Sequence, residues 1–192
     1  FGRRSAVGAF IGMVLILMLL VGVILIVFFG TYVPGLVDLT SPKLETDFLE
    51  YPVEGVETAR VSIDWNQFPG ALEALDDSRN LIEAEVDYVG DLIFDAQTDR
   101  GRATVRLDTY NQGWNMNFTS WREKRWVVRL NPSVLLDLEL DASSGRYVFD
   151  LSELALSRLT VDASSGAIDL ILPQDDFGAE IEGSSGAIDL TI

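Results

Sequence analysis

Asp141-Ala142-Ser143-Ser144-Gly145, Asp162-Ala163-Ser164-Ser165-Gly166 and Gly183-Ser184-Ser185-Gly186 state one phrase three times, with closing glycines 21 and then 20 residues apart. An alternating pattern follows each phrase: Tyr147 to Leu151, Ile168 to Leu172, Ile188 to Ile192. Another precedes each: Leu136, Leu138 and Leu140, then Leu159 and Val161, then Ala179 and Ile181. Alternation puts each apolar set on one face of a strand. A fixed period of about 20 residues, with one turn and short strands per unit, predicts stacked β-rungs. A rung cannot bury its apolar side alone, so each needs a neighbour. Gly145, Gly166 and Gly186 sit where a tight turn would ask for positive φ, which costs glycine little. The serine pairs can bond the turn backbone through their hydroxyls. Leu154 and Leu156 are expected to fill the connecting edge of the first rung.

Upstream of the repeats, alternation begins at Val61-Ser62-Ile63-Asp64-Trp65 and returns at Leu81 to Asp87, Leu92 to Ala96, Ala103 to Thr109 and Trp126 to Leu130. Turn signals separate these runs at Gly90-Asp91, Asp99-Arg100-Gly101 and Asn111-Gln112-Gly113. Phe68-Pro69-Gly70 reads as a turn, and Ala71 to Asp77 as one short helical turn. Residues 59–131 therefore read as a β-rich module and 132–192 as the stacked repeats, with Asn131-Pro132 between them. Residues 34–58, carrying Pro34, Pro42, Pro52 and Gly55, read as a juxtamembrane linker that includes at most a loosely packed first strand.

Before the linker, Ser5 to Val33 carries no charge, and Phe10 to Phe29 is almost wholly Ile, Leu, Val, Met and Phe. Twenty-five helical residues span roughly 37 Å, against a hydrocarbon core of about 30 Å. Residues 1–33 are expected to be a transmembrane anchor. Arg3 and Arg4 precede the run and Asp38 follows it, which places the N-terminus in the cytoplasm. Gly8 and Gly12 form a small-xxx-small pair that would let a second helix approach. The fold class expected is thus mainly β: an N-terminal transmembrane helix, then a β-rich domain ending in β-solenoid-like repeats that continue past residue 192.

Composition excludes much. The chain of 192 residues carries a net charge of −16, and everything after Arg4 is acidic, with 12 basic against 30 acidic residues. Such a surface repels nucleic acid and anionic headgroups. With no His and no Cys, the chain lacks an imidazole base, a thiol nucleophile, disulfides and the usual zinc ligands. No Gly-x-Ser-x-Gly elbow exists. No catalytic, cofactor or metal site is expected. Asp76, Asp77, Asp95 and Asp99 read as solvated loop acids more readily than as calcium ligands.

One cluster stands apart. Tyr110, Trp114, Phe118, Trp121 and Trp126 interleave with Arg122, Lys124, Arg125 and Arg129 in an otherwise acidic domain. Trp, Tyr and Arg are favoured interface anchors, so Tyr110, Trp114, Trp121, Arg122, Arg125 and Trp126 are the candidate contact residues; the competing assignment is core aromatics beside solvated charges. Asn117-Phe118-Thr119 fits a glycosylation pattern.

The runs Leu136 to Gly145, Leu154 to Pro173 and Ala179 to Leu190 resemble the toast-rack β-domain of bacterial cell-wall-active antibiotic response proteins, and related adhesin-like bacterial β-solenoids. The resemblance covers about residues 36–192. It implies a membrane-anchored bacterial envelope protein without catalytic residues. On this basis the chain is expected in the bacterial cytoplasmic membrane, with its β-domain outside the cytoplasm. Its partners would be the lipid bilayer and either another protein or copies of itself, and no nucleic acid. The function expected is protein interaction or envelope sensing. The alternative is a structural or accessory subunit of a larger membrane complex or a helix-cored filament.

Overall fold

The computed structural model describes residues 44–66, 68–110 and 125–192. The expected helix with Gly8 and Gly12 lies outside them, as do Trp114, Asn117, Trp121 and Arg122. Among the described residues no helix is long and apolar enough to cross a membrane.

Thirteen strands form two facing sheets among the described residues. Their building unit is an arch: one strand in the first sheet, a corner, one strand in the second. Three arches are the repeats. They are β8 (Leu135–Ala142) with β9 (Arg146–Asp150), β10 (Leu156–Ala163) with β11 (Ala167–Ile171), and β12 (Gly178–Gly183) with β13 (Ala187–Thr191). Two more come from the upstream region: β2 (Thr58–Asp64) with β3 (Gly70–Ala74), and β6 (Arg102–Tyr110) with β7 (Trp126–Leu130). The five arches stack in the order β6/β7, β2/β3, β8/β9, β10/β11, β12/β13, and every contact between them is parallel. The remaining strands close the first end antiparallel. β4 (Asn80–Tyr88) pairs with β7, β5 (Asp91–Asp99) with β6, and β1 (Glu45–Pro52) with β4.

The stack joins the two regions that sequence patterning separates. The β2/β3 arch is first in the chain, yet it lies between β6/β7 and β8/β9, so residue 131 marks no structural boundary. The strand β1 lies in the stretch read as linker or loose first strand.

Alternation explains the packing. Val61, Leu138 and Leu159 stand in register, as do Ile63, Leu140 and Val161, all buried between the sheets. The opposite sheet contributes Leu72, Phe149 and Leu170 as one row. Leu154 and Leu156 are buried at 2% and 5% exposure, filling the edge as expected. Trp126, Gly70, Tyr147 and Ile168 form a second row, and there the glycine makes room. A Cβ on Gly70 would collide with the ring of Trp65. Trp65 fills that space and packs 5.6 Å from Trp126, 6.0 Å from Tyr147 and 5.3 Å from Phe149 between ring centroids.

Two expectations fail on backbone conformation. Residues 71–77 form no helical turn: Gly70–Ala74 is β3, held between β7 and β9. Ala-Leu-Glu-Ala-Leu favours a helix locally, but burying Leu72 between two parallel neighbours outweighs a propensity worth tenths of a kcal/mol per residue. The repeat glycines do not have positive φ either, a conformation confined among described glycines to Gly55, Gly90 and Gly101. What requires glycine at the repeats is proximity, treated next.

Candidate functional site

The three Ser-Ser-Gly corners stack into a column at one end of the rack. A Cβ on Gly166 would lie 2.8 Å from the Gly145 carbonyl oxygen and 2.9 Å from the Tyr147 ring. On Gly186 it would strike the Gly166 carbonyl. Successive corners also bond directionally, each donating to the one before. Ser164 Oγ and Ser165 Oγ donate to the Ser143 carbonyl at 2.9 and 3.1 Å; Ser184 Oγ and Ser185 Oγ repeat this toward Ser164 at 2.6 and 3.1 Å.

The column has a head that sequence repeats do not reveal. Ser143 Oγ donates to the Asn66 carbonyl, and Tyr147 Oη reaches the same oxygen at 3.2 Å. Asn66 turns the corner of the β2/β3 arch at φ 48°, with its amide N–H on Asp64 Oδ1 at 2.8 Å. Asn tolerates the left-handed region better than most residues. Its position could be inferred only from the unpaired turn after β2, since no Ser-Ser-Gly phrase marks it. Burial pushes the Tyr147 hydroxyl up to about 12, so it stays a donor at any physiological pH.

Below the corners a row of carboxylates crosses the outer face of the first sheet. Asp64 stands opposite Asp141, Asp141 opposite Asp162, and Asp162 opposite Glu182. Neighbouring strands lie about 4.8 Å apart, so like charges repel here. Asp64 and Asp141 are both raised above the ordinary Asp value, chiefly by partial burial. Asp108 adds to the first, and Asp64 and Asp162 to the second. Arg106, whose charge favours the ionised form of Asp64, is engaged with Asp108 at 2.9 Å. The stability consequence has a definite sign. A carboxyl whose folded value is raised takes up more protons folded than unfolded, so stability falls as pH rises through the raised value. Asp141→Asn is therefore expected to raise the melting temperature at pH 7.5, and to raise it less at about pH 4.5, where the parent's own carboxyl is nearer to neutral. Thermal melts of both proteins at the two pH values check this.

The opposite sheet carries an open cleft of about 480 Å³ lined by Glu73, Asp76, Glu83, Arg129, Asp150, Ser152 and Glu153. Arg129 Nε pairs with Glu73 at 2.7 Å. Hydrogen bonds from Ser78 and Asn80 hold Glu83 below the usual carboxylate range. Ser152 Oγ donates to Asp150 Oδ1 at 2.6 Å within a local turn, and its N–H meets the same oxygen. The serine closes a local turn on Asp150. Among the described residues no three acidic groups converge as a metal would need. Asp99 pairs loosely with Arg100 at 4.0 Å, and Asp95 stands opposite Arg106.

Of the candidate contact residues, Tyr110 is 59% exposed at the end of β6, and Arg125 is exposed just before β7. Trp126 is not a surface anchor. It is fully buried, stacked 5.9 Å from Phe68, with Nε1 donating to the Asp87 carbonyl at 2.8 Å. Its place in the inward row explains this: β7 alternates Trp126, Val128 and Leu130 inward.

Comparison with known proteins agrees with this geometry. The model of the family described as the N-terminal domain of toast_rack, DUF2154, matches residues 40–192. A candidate cell adhesion protein from Clostridium sporogenes superposes with a TM-score of 0.60 at 13% identity, covering 79% of this chain and 99% of that one. A candidate adhesin from Bacteroides fragilis covers 78% of this chain and 98% of its own, at 9% identity and a TM-score of 0.25, and carries no argument. A search of curated proteins returns no match.

Proposed function

The chain belongs to the toast-rack N-terminal domain family, and from that premise we propose that it is a membrane-anchored, non-enzymatic protein of the bacterial envelope whose β-rack meets other proteins outside the cytoplasm. The observation that carries this is the uncharged run Ser5 to Val33, flanked by Arg3 and Arg4, immediately upstream of the rack. An uncharged stretch of that length suits a bilayer and little else. The rack suits display: its apolar rows are turned inward, and acids and arginines are spread along its outer faces. The cleft between Glu73 and Glu153 sets acids around an arginine already paired with Glu73, which supports a role in contact over one in catalysis.

The second reading, a filament subunit, draws on the same apolar segment. Extraction separates the two. The anchored protein should resist shearing and high salt and leave the membrane only with detergent. Release of most of the chain by shearing alone would favour the filament.

A further inference from the structure

The second sheet alternates its side chains, and the set turned away from the core forms two unlike rows. Phe48 of β1, Glu85 of β4, Val127 of β7, Ala71 of β3 and Val148 of β9 stand in one register row. Glu50, Glu83, Arg129 and Glu73 form the row beside it. Phe48 is 77% exposed and Val148 40%. A single exposed apolar side chain is ordinary, but this ring borders a hollow of about 410 Å³ that Glu50, Glu83, Glu85 and Arg129 also line. The hollow meets the cleft described above at Glu83 and Arg129, which line both.

The carboxylates of the hollow are held in place without being neutralised. Asn80 Nδ2 donates to Glu50 at 3.3 Å and to Glu83 at 2.9 Å, and Ser78 Oγ donates to Glu83 at 2.6 Å. These donors carry no charge, so they set two acids side by side and leave the charge uncancelled. The guanidinium of the row is committed to Glu73. Among the described residues neither Glu50 nor Glu85 has an ion pair. An aromatic face with carboxylates beside it suits an arginine, whose planar guanidinium stacks on the ring and donates at its edge. The adjoining cleft repeats the charge pattern with Asp76, Asp150 and Glu153.

Charge and shape together restrict the occupant. A second copy of a chain at net −16 is repelled from such a face. A small polyamine would leave Phe48 and Val148 uncovered. A polypeptide carries basic and apolar side chains on one backbone and can cover both rows. We propose that this face of the second sheet binds a basic segment of another protein. One arginine enters the hollow beside Phe48, a second basic residue enters the cleft at Glu153, and apolar side chains lie along the row from Phe48 to Val148. The proposal rests on the contact role given above and supplies its class of partner.

The test uses the full chain in nonionic detergent and a fluorescent peptide, Arg-Val-Arg-Val-Arg-Val, followed by anisotropy. Saturable binding is expected. Glu50→Gln combined with Glu85→Gln should weaken it about tenfold, and so should Phe48→Ala. All three side chains are exposed, so these variants should melt as the parent does. Glu180→Gln combined with Glu182→Gln removes two charges from the other sheet and should change binding by no more than about twofold. The peptide with lysine in place of arginine should bind several-fold more weakly. No saturable binding, equal losses from the two charge pairs, or full affinity after Phe48→Ala would each overturn the proposal. A dimer of the chain alone that Phe48→Ala dissolves would also overturn it, because a second copy would then occupy the face. Membrane topology is measured separately, so failure here and failure of the anchored arrangement are told apart.

Discussion

Valine in place of Gly166 is expected to lower the melting temperature by several degrees, within about 2–12 °C. The new side chain must enter a space where even a Cβ lies 2.8 Å from the Gly145 carbonyl and 2.9 Å from the Tyr147 ring. Tyr147 is fully buried, so neither neighbour can yield cheaply. Overpacking of a tight site costs about 1–3 kcal/mol and sometimes more, and a domain of this size loses about 2–4 °C per kcal/mol. Gly178 is the control within the same rack. A Cβ there meets only the Ser157 carbonyl, at 3.9 Å, so Gly178→Val should move the melt by a degree or two at most. Equal losses at the two glycines would contradict stacked corners.

The second large effect belongs to Trp65. It is fully buried and touches Trp126, Tyr147 and Phe149, so Trp65→Ala should cost about 3–5 kcal/mol. A finer contrast separates packing from hydrogen bonding. Among the described residues Trp65 Nε1 has no hydrogen-bond partner, whereas Trp126 Nε1 donates to the Asp87 carbonyl. Phenylalanine at 126 takes the donor from a part-buried acceptor, a loss of about 1 kcal/mol; at 65 it removes no hydrogen bond found among the described residues. Chemical denaturation of Trp65→Phe and Trp126→Phe should rank the second as the more damaging. The reverse order would show that ring volume alone decides.

Much of the rack is legible in the chain because its rungs are local. A Ser-Ser-Gly phrase and flanking alternation lie within about 20 residues, so period and strand limits come from neighbours in sequence. β7, read as Trp126 to Leu130, has those limits in the structure. What is not legible is non-local. Nothing in Thr58 to Ala74 announces that its arch sits between β6/β7 and β8/β9, because that choice is made by side-chain fit across the stack. Asn66 heads the serine column through a main-chain carbonyl, a group every residue has, so side-chain identity marks it weakly. Trp126 looked available because it is flanked by Arg125, but its place on the inward side of β7 decides otherwise. At the repeat glycines turn chemistry predicts positive φ, whereas stacking demands the absence of a side chain.

In the proposed arrangement the rack stands outside the cytoplasm on a helix whose N-terminus is inside. The chain has no cysteine, so single introduced thiols report position without background. Asp175 is exposed between β11 and β12, and Ser5 precedes the apolar run. Spheroplasts expressing Asp175→Cys or Ser5→Cys would be treated with a membrane-impermeant maleimide before and after lysis. Cys at 175 should be labelled in intact spheroplasts and Cys at 5 only after lysis. Labelling at 5 with protection at 175 would contradict it.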